Sequence, residues 1–206
     1  MSQPAERADT QSDSRHVSYP LDRDDQRVKA ARDAERAAYE HYGLEFTEHY
    51  VHVPELDCRI RVTEIGDGLP IVVIPGGVSY GVIWTPLLPE LDGYTAFVMD
   101  RPGGGFSDGL DHQVMPLAEI AATSTAAVFD HFTIDEAPIM GNSMGGLWGI
   151  RFTLEHPDRV SEVALLGCPA LYPDTSAPLP MRLLSIPGFG RLLVEPVMQT
   201  DDSTDS

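Results

Sequence analysis

PIMGNSMGGLWG, Pro138 to Gly149, breaks an apolar run at a serine held between glycines and then resumes with a helical pattern. Gly141-Asn142-Ser143-Met144-Gly145 fits G-x-S-x-G, with a strand pattern entering and a helix pattern leaving. In that context the serine is lifted onto a sharp turn with its hydroxyl exposed. The turn strains the serine backbone, and side chains two positions before and two after would collide, which accounts for Gly141 and Gly145. Gly146 leaves further room for close helix packing. A chance match in a glycine-rich protein is the competing reading, and the flanking strand and helix count against it.

The neighbouring segments set the fold class. PIVVIPGG (70–77), YTAFVMD (94–100), APIMGNS (137–143) and VSEVALLG (160–167) are short apolar runs, the pattern of parallel strands buried on both faces. Between them, GVIWTPLLPEL (81–91) reads as a short helix, and Leu117, Ile120, Ser124, Val128 and Phe132 form a helical stripe. Met144 to Glu155 forms a further helix that stops before Pro157. Strands alternating with helices imply right-handed crossovers and a mostly parallel sheet flanked by helices. EFTEHYVHV (45–53) and CRIRVTEI (58–65) alternate polar and apolar residues and enter the sheet as an antiparallel pair, followed by the turn Gly66-Asp67-Gly68. Residues 1–43 read as a polar, disordered tail and a helix over Asp22 to Tyr42 that lies against the domain as an appendage. The core spans 44–170, a proline-rich region follows over 171–197, and 198–206 form an acidic, flexible end.

The 206 residues suffice for one buried α/β core rather than two. A net charge of −18, with 32 acidic against 14 basic residues, argues against a nucleic-acid partner. Lys29 is the only lysine, and this acidic, arginine-biased composition resembles proteins of salt-loving organisms; an acidic protein of ordinary habitat is the alternative. The lone lysine also excludes a phosphate-binding G-x-x-x-x-G-K-[ST] loop, and the glycines at 103, 105 and 109 miss G-x-G-x-x-G by one position. With no apolar leader and no run of about 18 apolar residues, the expectation is a cytoplasmic protein with no membrane partner. Cys58 and Cys168 have no metal or redox spacing and read as packing residues in a reduced compartment.

A second element agrees with the serine. The run IVVIPGGV ends a buried strand in Pro75-Gly76-Gly77, where the following loop supplies a backbone N–H to an oxyanion. Gly77 and Met144 are the two expected donors, and a plain tight turn is the rival reading of the glycine pair. LPIVVIPGG, FVMDRPGGGFSD, PIMGNSMGGLWGIRFTLEHPDRV and VALLGCPA together resemble successive blocks of the α/β-hydrolase superfamily, in its large esterase-like group, over about Leu44 to Val194. The resemblance implies an eight-stranded sheet, a serine nucleophile and a cap after the sixth strand, whose opening PLPMRLLSIPGFGRLL is similar to. It further implies a small acyl substrate of ester or thioester type, with no cofactor and no metal. Pro75 stands where the family often has a histidine, a modest change because the donor is backbone. The larger departure is that the family's last strands, which bring an acid and then a histidine, do not appear. The expected fold is therefore an α/β-hydrolase truncated at its C-terminus, lacking its last strands and most of its cap, with neither catalytic acid nor catalytic base.

No upstream histidine is an obvious substitute. His156 stands thirteen residues along the helix that Ser143 opens, roughly 20 Å away at the α-helical rise. His49 and His52 face opposite sides of a strand and make a poor metal pair; His16 and His41 lie in the tail and appended helix, and His131 on an exposed helix face. His112, in the loop after GGGFSDGLD, is the candidate left near the mouth of the site. Asp100 and Asp108, with no histidine to orient, read as loop hydrogen-bonding groups. The expected activity is a serine acyl hydrolase, impaired in this chain. The alternatives are a non-catalytic binding module or one half of a split enzyme that needs a complementing C-terminal chain. An exposed edge at EVALLG makes self-association the other expected partnership.

Overall fold

The structure is a computed structural model and describes residues 18–113, 115–168 and Leu179. Along the described residues run β1 (Ser18–Tyr19), α1 (Gln26–His41), β2 (Thr47–Val53), β3 (Cys58–Gly66), β4 (Leu69–Ile74) and β5 (Tyr94–Met99). Then come β6 (Gly109–Leu110), α2 (Leu117–His131), β7 (Ala137–Asn142), α3 (Met144–Glu155) and β8 (Val160–Leu166). Six of the strands form one sheet in the order β2-β3-β5-β4-β7-β8. β3 pairs antiparallel with β2 and β5, whereas β4 pairs parallel with β5 and β7, and β8 parallel with β7. The four apolar runs and the antiparallel entrance read from the sequence are all in place as strands, but β8, expected to be buried on both faces, holds only half-buried and exposed side chains.

Side chains alternate across a strand, so the central strands feed two cores. Val72 and Ile74 of β4, Phe97 and Met99 of β5 and Ile139 of β7 pack with Ile120, Val128, Trp148 and Phe152 from α2 and α3. Ile71, Val73, Ala96, Val98 and Met140 point the other way, onto Tyr39 of α1, Trp84 and Leu88. Burial on both faces is why these strands read as unbroken apolar runs rather than as alternating ones.

The structure differs from the sequence reading at several joints. α1 starts at Gln26 rather than Asp22, because Asp25 caps it by accepting the Arg27 N–H at 2.7 Å. Expected as an appendage, the helix instead contributes two buried side chains, Glu35 and Tyr39. The helix expected over 81–91 is two separate 3₁₀ turns, Gly81–Trp84 and Leu88–Glu90, since Pro86 and Pro89 withhold N–H groups from a continuous helix. Phe132 follows the end of α2 as its C-cap. β1 pairs antiparallel with β6, a contact of two residues on each side that no periodicity announces. The cap region expected over 171–197 and the acidic end over 198–206 lie outside the described residues, save Leu179. No helix among the described residues is long and apolar enough to cross a membrane.

Candidate active site

In a parallel sheet the strands end along one edge, and that edge gathers ligand-binding loops. β4 runs out into Pro75-Gly76-Gly77, β5 into Asp100-Arg101 and β7 into Ser143. Ser143 sits at φ 50° and ψ −117°, a conformation that L-residues rarely hold, and α3 begins at the next residue. The turn is held from outside: the Ser143 N–H donates to Leu166 O at 2.9 Å, and Asn142 Nδ2 donates to the same oxygen at 3.1 Å. The end of β8 thus clamps the end of β7.

The glycines around the serine are required by contact. A Cβ on Gly141 would stand 2.5 Å from Gly146 N, and one on Gly145 would stand 2.2 Å from Ile74 O and 2.6 Å from Pro75 O. Gly146 donates its N–H to Ser143 O at 3.2 Å, closing the turn. Gly76, which the sequence reading passed over in favour of Gly77, lies nearest the serine: a Cβ there would be 2.8 Å from Asn142 Oδ1 and 3.2 Å from Ser143 Cβ. Gly77 faces the Met144 side chain, with its hypothetical Cβ 3.0 Å from Met144 Cε. Met144 opens α3, and first-turn N–H groups have no carbonyl partner within their helix. Gly76, Gly77, Ser143 and Met144 therefore converge at one place.

Asp100 and Asp108 are structural, as the sequence suggests, but they work in charge networks that it does not reveal. Buried Asp100 accepts the N–H groups of Gly81 at 2.7 Å and Phe106 at 3.0 Å, and Arg61 Nη1 at 3.4 Å. Arg61, also buried, donates to Glu35 at 2.8 and 2.6 Å and to Glu48 at 2.7 Å. Burial pushes the Asp100 and Glu35 carboxyls above their usual range, with Arg61 opposing the shift at both. Burial also acts upward on Glu48 and Asp108, but it is outweighed by bonds from Arg32 and Arg61 at the first and from the Leu21 N–H and Arg59 at the second, and both end below the usual range. Asp108 ties three segments together, accepting the Leu21 N–H and the Arg59 N–H at 3.0 Å each and Arg59 Nε at 3.1 Å.

Among the described residues no base is hydrogen-bonded to the serine. Among the described residues the Ser143 hydroxyl has no hydrogen-bond partner, and His112 is exposed beside Gly103, whose hypothetical Cβ would lie 3.2 Å from its Nε2. Burial of part of the His112 ring, and then the Arg101 charge, push its pKa below the usual imidazole value. His156 caps the far end of α3, its ring 4.8 Å from that of Phe152. Beside Met144 lies an apolar recess of about 200 Å³, lined by Leu117, Ala118, Ala121, Leu147, Trp148 and Arg151 as well. A larger hollow, about 550 Å³, is lined by Leu44, Phe46, Ile65 and Tyr94 near the start of β5, away from the strand ends that carry Ser143.

This sheet order, with a strained serine between the fifth strand of the main sheet and its following helix, defines an α/β hydrolase. The family model for the alpha/beta hydrolase fold matches residues 70–206, and the chain belongs to that family. It is 29% identical over 149 residues to a 2-hydroxy-6-oxo-6-phenylhexa-2,4-dienoate hydrolase of Burkholderia cepacia, covering 69% of this chain and 50% of that protein. It is 31% identical over 129 residues to a 2-hydroxy-6-oxononadienedioate/2-hydroxy-6-oxononatrienedioate hydrolase of Klebsiella pneumoniae subsp. pneumoniae, covering 59% and 44%. The solved 2-hydroxy-6-oxo-6-phenylhexa-2,4-dienoate hydrolase of Rhodococcus sp. strain RHA1 shares the fold, with TM-score 0.60 at 20% identity over 78% of this chain and 68% of that one. Naproxen esterase of Bacillus subtilis does likewise, with TM-score 0.58 at 20% identity over 68% and 49%. The chain spans about half the length of the curated relatives it matches.

Proposed function

We infer that the chain carries the nucleophile and the oxyanion-binding groups of a serine hydrolase acting at an acyl carbon. The observation that carries this reading is Ser143 held at φ 50° with Gly76 packed against its side chain. Ser143 Oγ adds to the substrate carbonyl while its proton passes to a base, which later returns it to the leaving group, and the Gly77 and Met144 N–H groups stabilise the oxyanion. The tetrahedral intermediate then expels its leaving group, and water hydrolyses the acyl-enzyme. The names of the relatives favour a substrate class. A 2-hydroxy-6-oxo-dienoate contains no ester or amide, so its hydrolysis breaks a carbon–carbon bond beside the 6-oxo group, and that ketone is an acyl carbon of the kind this site would address. An ester is the alternative substrate, and the apolar recess beside Met144 suits the hydrocarbon portion of either.

The chemistry also requires a base, because a hydroxyl without one is a weak nucleophile at neutral pH. The described residues place none at Ser143, and no histidine follows His156 in the 206 residues. Turnover is thus expected only when an acid and a histidine are supplied together with these residues. The test is hydrolysis of p-nitrophenyl acetate and of 2-hydroxy-6-oxo-6-phenylhexa-2,4-dienoate by the chain and by Ser143→Ala, with and without the C-terminal half of the Burkholderia relative as a separate chain. Loss of the histidine in a serine hydrolase costs on the order of 10⁶ in kcat, so the chain alone should be nearly inactive. Activity that appears with the added half and vanishes in Ser143→Ala is the expected result; fast turnover retained by Ser143→Ala would overturn the assignment.

A further inference from the structure

Arg101 lies outside the G-x-S-x-G motif, yet it touches both sides of the proposed oxyanion hole. Its Nε donates to Pro75 O at 3.1 Å, and its Nη2 donates to Gly77 O at 2.9 Å and also to Gly76 O. On the other side, Nη1 is 3.5 Å from Met144 Sδ. The side chain is buried, and its guanidinium carbon lies 5.4 Å from the centre of the Trp148 ring. All the oxygen acceptors found for it among the described residues are backbone carbonyls of the loop after β4.

Three successive carbonyls on one guanidinium fix three successive peptide planes. In a trans peptide the C=O and the following N–H point in opposite directions, and no cis peptide occurs among the described residues. The N–H groups of Gly76, Gly77 and Val78 are accordingly turned away from Arg101. Without that anchor a Gly-Gly segment has wide backbone freedom, and its N–H groups have no set direction. A lysine could not replace the fork, since one ammonium nitrogen cannot span the same three acceptors with planar geometry.

We propose that Arg101 is a positioning residue that presets the oxyanion hole, turning the Gly77 N–H toward the space in front of Ser143 and holding that loop against Met144. The proposal rests on the reading of Ser143 as the nucleophile. The fork is in place before substrate arrives, so the donors need no reorganisation when charge develops, and the buried positive charge lies close to the oxyanion it favours.

The test uses the full chain, ¹⁵N-labelled, with phenylboronic acid as the probe. Its boron accepts the Ser143 oxygen while the hydroxyl proton leaves to buffer, giving a tetrahedral anion that mimics the intermediate. In the wild type the Gly77 and Met144 amide protons should both move downfield on adduct formation. Arg101→Met and Arg101→Lys should weaken binding by on the order of 10²-fold, the cost of losing one oxyanion donor, and should lose the Gly77 shift while keeping that of Met144. A merely structural role would alter both amides together, so loss of both, or of neither, overturns the proposal. Full recovery of the Gly77 shift in Arg101→Lys would also overturn it, since charge without the fork would then suffice. In the ligand-free proteins the ¹⁵N heteronuclear NOE of residues 76–78 should fall in both variants while β4 and α3 stay unchanged; an unaltered loop refutes the anchor. If the wild type forms no adduct that Ser143→Ala abolishes, the nucleophile reading fails, and this loop measurement still decides whether Arg101 holds the loop.

Discussion

Replacing Gly145 with alanine tests whether the elbow is built by backbone contact. The new Cβ would lie 2.2 Å from Ile74 O and 2.6 Å from Pro75 O, and to reach even 3.0 Å the first turn of α3 must move about 0.8 Å from the end of β4. Both obstacles are main-chain carbonyls, fixed in or beside a central strand, so neither can rotate away. Overpacking of this kind costs about 1–3 kcal/mol, and the upper part of that range applies because no flexible side chain absorbs the strain. Gly149→Ala, one turn along the same helix, is the control. Its Cβ would be 2.8 Å from Ile139 Cγ2, the end of a side chain, and the gain of about 1 kcal/mol in helix propensity offsets the crowding. Thermal unfolding followed by circular dichroism should show Gly145→Ala melting about 4–12 °C below the wild type, from a loss of about 2–3 kcal/mol at about 2–4 °C per kcal/mol for a chain of this length. Gly149→Ala should stay within about 4 °C of it. If Gly145→Ala melts with the wild type, or Gly149→Ala is the more damaging of the two, the close approach of α3 to β4 does not constrain the elbow as argued.

Arg61→Met should leave Glu35 and Asp100 buried without their counter-charge, costing about 3–5 kcal/mol at neutral pH. A carboxyl whose folded pKa is raised contributes stability below its unfolded value, about 4, and loses it as pH rises through the folded value. The deficit of the variant relative to the wild type should therefore be larger at pH 7.5 than at pH 5, and melts showing the reverse would contradict the network. The net charge of −18 predicts that the melting midpoint rises as potassium chloride is raised from about 0.05 to about 2 M; a midpoint that stays or falls removes the salt-adapted reading. Gly76→Ala should hinder boronate binding at Ser143 more than Gly43→Ala does, since the first Cβ meets the serine side chain and the second meets nothing within 4 Å, despite Gly43's φ of +66°.

The elbow shows where sequence alone was enough. G-x-S-x-G is legible because its glycines answer a local demand: a Cβ on Gly141 would collide with Gly145 and Gly146 only a few residues on. The central strands β4, β5 and β7 were legible for a related reason, since burial of both faces leaves a run of apolar residues that needs no partner to be recognised. What the sequence could not give is chemistry that depends on groups far apart in the chain. Arg101 reads as one arginine in a glycine-rich loop, and only the parallel pairing of β4 with β5 brings it beneath Pro75 to Gly77. Glu35 is only one acidic position in the helix expected over Asp22 to Tyr42 until the fold sets Arg61, 26 residues on, against it. The conformation of a strained serine is written locally by its neighbours, whereas the direction of a backbone N–H and the partner of a buried charge are decided by packing between segments.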